Sequence, residues 1–170
     1  MILKEKNSDK KHIFNQIETY LNQNNIAALS SDQTRPWGGF FVIDPNCLEQ
    51  FVDQFFQKKE GLNQNKKLTL SPKVLIVGPD KRLSWQYHHR RSEIWSVIKG
   101  PVGVIKSDDD TQGELIILNE KDQIELQNGE RHRLIGLNDW GIVAEIWQHS
   151  DPKRPSDEED IVRLEDDFGR

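Results

Sequence analysis

Residues 83–100 read LSWQYHHRRSEIWSVIKG, from Leu83 to Gly100, and this stretch decides the fold. It packs Gln86, His88, His89 and Glu93 together, with Arg90 and Arg91 between them. On a β-strand, residues i and i+2 face the same side. An extended strand therefore gives Gln86, His88 and Arg90 one face, and Trp85, Tyr87 and His89 the other. Neutral imidazoles and a carboxylate are ordinary ligands of zinc and similar divalent metals. The run that follows, Ile94 to Gly100, is apolar, rich in β-branched residues and closed by glycine, which suits a second strand and a turn. The pattern is that of a hairpin carrying metal ligands rather than a helical zinc motif.

Downstream of this hairpin the chain reads as short strands separated by turns. Val102 to Ile105, Leu115 to Leu118, Gln123 to Leu126, Arg131 to Leu137 and Ile142 to Trp147 are β-like, and Ser107 to Gln112 is an acidic turn. Upstream, Leu68 to Leu70 and Val74 to Val77 are also β-like, and Pro79-Asp80-Lys81 makes a turn. Many short strands at regular spacing predict an all-β sandwich or barrel.

The first third differs. Ile13, Phe14, Ile17, Tyr20 and Leu21 recur at offsets of three and four, which predicts an amphipathic helix within 11–29. Residues 33–43 give a Pro-Trp-Gly-Gly turn and then an apolar strand. Asp44 or Asn46 can cap a second helix with Leu48, Phe51, Val52, Phe55 and Phe56 on one side. Residues 57–67 are polar and suit an exposed loop. The expected organisation is a helical extension over 1–60 and a barrel over 61–170 with a charged tail, forming a single domain.

Composition narrows the function. The chain has 170 residues, enough for one substantial core. Its 23 basic and 28 acidic residues give a net charge of −5, which argues against nucleic-acid or acidic-membrane binding. The single cysteine, Cys47, leaves no intrachain disulfide or thiolate cluster. With no signal-like apolar segment and no apolar run of spanning length, a cytoplasmic protein is the expectation.

A further ligand is available in the run NGERHRLIG, where His132 stands at the start of a strand. A barrel brings His132 and His88 to one interior although 44 positions separate them. Gln86, His88, Glu93 and His132 then form a candidate metal set. Zinc suits it, and iron, manganese, cobalt and nickel share its ligand chemistry. The alternative is a hydrogen-bonded barrel mouth without metal. Lys81, Arg82, Arg90, Arg91, Arg131 and Arg133 surround the set, and arginine grips phosphate through paired hydrogen bonds. Arg90 is the first choice for an anionic substrate, with Lys81 and Arg91 beside it. Solvated strand-end charges paired with the acidic tail are the competing account.

These motifs resemble the cupin superfamily, and within it the type II phosphomannose isomerases. LSWQYHHRRSEIWSVIKG is similar to the first cupin motif and NGERHRLIGLN to the second. RPWGGF and the terminal run from Val143 to Arg170 are similar to other segments of that family. The likeness covers about residues 35–170 and extends to small bacterial cupins labelled phosphoheptose isomerase. It implies a jelly-roll barrel, a metal held by Gln86, His88, Glu93 and His132, and a role for Arg133 after the second-motif histidine. The implied reaction is aldose–ketose isomerisation of a sugar phosphate, mannose 6-phosphate and fructose 6-phosphate first. Glu130 is the candidate general base. The runner-up is a non-catalytic cupin that binds a sugar or sugar nucleotide. A homodimer through strand edges is a further implication of the family. Two departures stand out: Arg90 replaces a histidine common in cupins, and Gln127 replaces a proline.

Overall fold

The computed structural model describes residues 9–57, 62 and 69–169. Two antiparallel sheets face one another. The larger holds β1 (Ala28–Asp32), β2 (Gly38–Ile43), β3 (Leu70–Val77), β5 (Arg91–Lys99), β8 (Gln123–Leu126) and β10 (Gly141–His149), in the order β1-β2-β3-β10-β5-β8. The smaller holds β4 (Trp85–His88), β6 (Val102–Ser107), β7 (Ile116–Leu118), β9 (Arg131–Gly136) and β11 (Ile161–Glu165), in the order β11-β4-β9-β6-β7. This is a jelly-roll barrel, the fold that the motif pair implied. Strands remote in sequence become neighbours: Gln86 of β4 pairs with His132 of β9, and Glu93 of β5 pairs with Trp147 of β10.

The central strands of the larger sheet are buried on both faces, which explains their nearly unbroken apolar sequence. Their inward residues, Leu75, Val77, Trp95, Val97 and Val143, meet Val102, Val104 and Leu134 of the smaller sheet in the barrel core. Their outward residues, Val74, Ile76, Ile94, Ile142, Ala144 and Ile146, meet a second core under two helices. Helix α1 (Lys10–Gln23) supplies Ile13, Phe14, Ile17 and Leu21 to that core. Its first turn is capped by Asp9, whose side chain accepts from His12 N. Helix α2 (Leu48–Phe55) supplies the fully buried Phe51 and follows a 3-10 turn over Pro45–Cys47, where Asp44 accepts from Asn46 N.

Three features differ from the reading of the sequence. The first helix ends at Gln23, and Ala28–Asp32 forms an edge strand whose exposed residues gave no alternating signal. β1 and β2, within the first sixty residues, belong to the larger sheet of the barrel itself. The charged tail adds β11, which pairs with the ligand strand β4. The loop expected over 57–67 and the strand start at Leu68 fall almost wholly outside the described residues. Among the described residues, no helix is long and apolar enough to cross a membrane.

Two substitutions probe this architecture. Phe51→Ala empties a fully buried site beside Phe55 and Phe56 and is expected to cost about 3–5 kcal/mol in chemical denaturation. Gly38 adopts φ +146°, and a methyl group there would run into the Ile76 carbonyl oxygen. Gly38→Ala is therefore expected to lower the thermal midpoint sharply, whereas the exposed Leu29→Ala leaves it nearly unchanged.

Candidate metal centre

The inward face of the larger sheet changes character along its strands. Beyond the apolar inward residues, the same alternation delivers Lys73 from β3, Arg91 and Glu93 from β5, and Glu145, Trp147 and His149 from β10. From the smaller sheet, β4 delivers Gln86 and His88, and β9 delivers His132. One end of the barrel interior is thus apolar and the other polar. A narrow cleft opens at the polar end, and its walls include Gln86, Glu93, Arg91, Lys73 and Glu145.

His88, Glu93 and His132 converge there, with one ligand atom from each lying within 4.8 Å of the others. His88 Nε2 is 3.2 Å from Glu93 Oε1, and His132 Nε2 is 3.5 Å from Glu93 Oε2. All three side chains are about 2% exposed. The tautomer of His132 follows from its neighbour. Nδ1 lies 2.9 Å from the carbonyl oxygen of Glu130, which can only accept, so Nδ1 carries the proton. Nε2 is then the ring nitrogen left for a ligand, and it has no hydrogen-bond partner among the described residues. Burial pushes His88 down to about 4; Glu93 opposes this, while Arg91 and His132 add to it. At neutral pH that ring is an uncharged donor of electron pairs. Burial would raise Glu93, but Arg91 first and then His88 hold it well below its usual range. Two imidazoles and an anionic carboxylate brought within 4.8 Å of one another are the donor types that divalent cations take, and a bound cation would compete with Arg91 for His88 Nε2. The residues therefore fit a metal. Gln86 stands cross-strand from His132 and lines the same cleft, with its Oε1 accepting from Ser84 Oγ at 2.6 Å.

Arg91 organises this cluster. Its Nε donates to Glu93 Oε1 at 2.7 Å, Nη1 to Ser156 Oγ at 2.7 Å, and Nη2 approaches His88 Nε2 at 3.1 Å. Its guanidinium also stacks 3.5 Å from the Trp147 ring centroid. Arg90 turns the other way. β4 ends at His88, a bend follows over His89 and Arg90, and β5 restarts at Arg91, so the i, i+2 alternation breaks. Arg90 binds Asp157, Asp160 and the Pro155 carbonyl outside the cleft. Lys81 is exposed and lines a separate hollow beside Trp140. Arg133 is buried on the face of β9 opposite His132, donating to the Leu83 carbonyl with Glu165 3.6 Å away. Glu130 is tied to Lys106 at 2.8 Å and to the Gln127 amide. Of the cations and bases expected from sequence, Arg91 alone lines the cleft.

Lys73, Glu145, Trp95 and Trp147 were not singled out as a group from the sequence. Their signal was present: Lys73 and Glu145 are lone charges in otherwise apolar strands, SPKVLIV and GIVAEIW. They pair across β3 and β10. Trp95 Nε1 donates to both Glu93 Oε2 at 3.1 Å and Glu145 Oε1 at 3.0 Å, bridging the two carboxyl groups. Burial, reinforced by the Glu93 charge, pushes Glu145 up to about 8. Burial lowers Lys73, against the pull of Glu145 and Glu158. Because an unfolded glutamate ionises near 4.5, the stability tied to Glu145 is full below about pH 4.5 and is lost as pH rises through about 8. In metal-free protein, Glu145→Gln is expected to flatten the decline of the thermal midpoint over that window. Parallel pH profiles for the two proteins would contradict this assignment.

Comparison with known proteins bears on the family and the fold. Residues 50–166 match the family model described as Mannose-6-phosphate isomerase C-terminal. The Xanthan biosynthesis protein XanB of Xanthomonas campestris pv. campestris (strain B100) is 31% identical over 136 residues, spanning 80% of this chain and 23% of XanB. The alginate biosynthesis protein AlgA of Pseudomonas aeruginosa is also 31% identical over 136 residues, spanning 80% of this chain and 22% of AlgA. The chain thus spans less than a quarter of the length of these relatives. Among solved structures, the capsular polysaccharide assembling protein CapF from Staphylococcus aureus aligns with a TM-score of 0.53 at 17% identity, over 81% of this chain and 34% of that one. KdgF from Halomonas sp. aligns with a TM-score of 0.51 at 12% identity, over 76% of this chain and 89% of that one. At such identities these structures speak for the fold alone. The match over residues 50–166 places the chain in the mannose-6-phosphate isomerase C-terminal family, on a cupin barrel.

Proposed function

We propose that this barrel is a metal-dependent isomerase that interconverts an aldose phosphate and its ketose, with mannose 6-phosphate and fructose 6-phosphate as the pair. The observation that carries the reading is the convergence of His88, Glu93 and His132 within 4.8 Å at the polar end of the barrel. Family membership supports the choice of sugar. Zinc suits the two imidazoles and one carboxylate, with Gln86 beside them.

A bound divalent ion would supply electrostatic stabilisation to negative charge developing on O1 and O2 of the open-chain sugar. The chain's own residues do the rest. Arg91 fixes the Glu93 carboxylate, and the Glu130 carbonyl fixes the His132 ring. In the aldose-to-ketose direction one proton leaves C2 and one arrives at C1, while the hydroxyl proton moves from O2 to O1. A group in the cleft must carry the carbon-bound proton. Glu130 was the candidate from sequence, but it is committed to Lys106 outside the cleft lining. Glu145 replaces it in this reading, because it is a buried cleft carboxyl with no hydrogen bond to Arg91 and it accepts one from Trp95, whereas Glu158, also in the cleft wall, is exposed.

A second reading, a binding module for a sugar or sugar nucleotide, draws on the fact that the chain covers only 22–23% of its longer relatives. A coupled assay on hexose and heptose phosphates with defined metals separates the two. The isomerase reading expects conversion that a chelator abolishes, and a loss of at least about a hundredfold in kcat for Glu145→Gln. Metal-loaded protein that binds these sugars and converts none of them establishes the binding module instead.

A further inference from the structure

The cations around the cleft differ in what they already hold. Arg91 spends its guanidinium on Glu93, Ser156 and His88. Arg35 is engaged by Asp32 at 2.8 Å. Lys73 is different. Its side chain is only 11% exposed, and its ion pair with Glu158 Oε1 is long, at 3.9 Å. Its ammonium makes no hydrogen bond to any described residue. It is held by aromatic faces, 3.4 Å from the Trp147 ring centroid and 5.2 Å from that of Phe40. Cation–π contact fixes an ammonium in place without consuming its N–H donors.

Two more donors in these walls are unspent. The indole Nε1 atoms of Trp37 and Trp147 are buried with no hydrogen-bond partner among the described residues, and both residues line the cleft. Buried donors in native proteins normally find an acceptor. Two unpartnered indole donors and an ammonium held only by a long ion pair, all in residues that line one cleft, suit a ligand group that is rich in acceptors and negative.

The sheet sets the distance. Lys73 on β3 pairs with Glu145 on β10, which pairs with Trp95 on β5, the strand of Glu93. Two strand spacings, about 10 Å, separate the backbone of Lys73 from that strand. At their tips the gap is shorter, since Lys73 Nζ and Arg91 Cζ lie 3.4 Å and 3.5 Å from the same Trp147 ring centroid, and a ligand that meets both Lys73 and the histidine–glutamate cluster carries its anionic group a short way from its reacting carbons. We propose that Lys73 seats the phosphoryl group of the substrate, flanked by the indole N–H groups of Trp37 and Trp147, and so sets the preference for a phosphorylated over a neutral sugar. This rests on the sugar-phosphate reading above and assigns to Lys73 the role that the sequence suggested for Arg90 and Lys81.

Calorimetric titration tests it without relying on turnover. Wild-type, Lys73→Met, Lys73→Arg and Trp37→Phe proteins, each checked for folding by circular dichroism, are titrated with mannose 6-phosphate and mannose. Metal-free samples are also titrated with inorganic phosphate. Lys73→Met should lose about tenfold or more in affinity for mannose 6-phosphate and for phosphate, with mannose unaffected. Lys73→Arg should retain the preference, and Trp37→Phe should weaken phosphate binding severalfold. Lys73→Met protein that binds mannose 6-phosphate like the wild type overturns the proposal, as does a wild type with no preference for the phosphate. Protein that binds phosphate through Lys73 yet converts no sugar overturns the isomerase reading alone. Turnover that is insensitive to Lys73→Met overturns the Lys73 assignment alone.

Discussion

The Glu93 carboxylate, buried and held by Arg91, is the constraint around which this barrel end is arranged. A lone anion inside a protein would bear a large desolvation penalty. Here Arg91 Nε meets one oxygen and Trp95 Nε1 the other, and the imidazoles of His88 and His132 close the remaining sides. Once Glu93 is anionic, the rest of the polar end follows. A second carboxyl, Glu145, shares the Trp95 N–H and resists ionising beside it. The positive charge of Arg91 opposes protonation of His88. The same arginine reaches Ser156, whose hydroxyl donates to Asp160 at 2.6 Å, and Asp160 accepts from the amides of His89 and Arg90. The bend that turns Arg90 outward is thus tied to the charge at the centre.

This coupling gives the C-terminal segment a structural purpose. It reads as a charged tail with few apolar anchors, yet it threads Ser156 and Asp160 under Arg91 and then lays β11 along β4. His149 joins the same lattice, its Nδ1 accepting from the Ser156 amide and its Nε2 lying 2.8 Å from Ser71 Oγ. At the other end of the chain, α1 and α2 cover the outer face of the larger sheet. Buried on both faces, β3 and β10 hold Lys73 and Glu145 rigidly across from one another.

Much of this was legible in the sequence. The convergence of His88, Glu93 and His132 was legible because two separated histidines admit few arrangements in a barrel. The broad β pattern and both helices were visible through their periodicity. Arg90 was misplaced because the periodicity argument assumes an unbroken strand, and the chain bends after His88. Arg133 and Glu130 drew attention by adjacency to His132, but adjacency along a strand puts one neighbour on the opposite face and left the other with Lys106. Lys73 and Glu145 needed the sheet: each is one charge in an apolar run, and only strand pairing brings them to one wall of the cleft. β11 carried no signal of its own, since what orders it is the distant partner β4.

His88, Glu93 and His132 form the site proposed for a divalent metal. Titration of the metal-free protein with cobalt(II), followed by its visible absorption, tests that proposal most directly. A saturating signal is expected at one equivalent, reversed by zinc and abolished in a folded His132→Ala protein. A spectrum that shows no bound cobalt, or one that His132→Ala leaves unchanged, would contradict it.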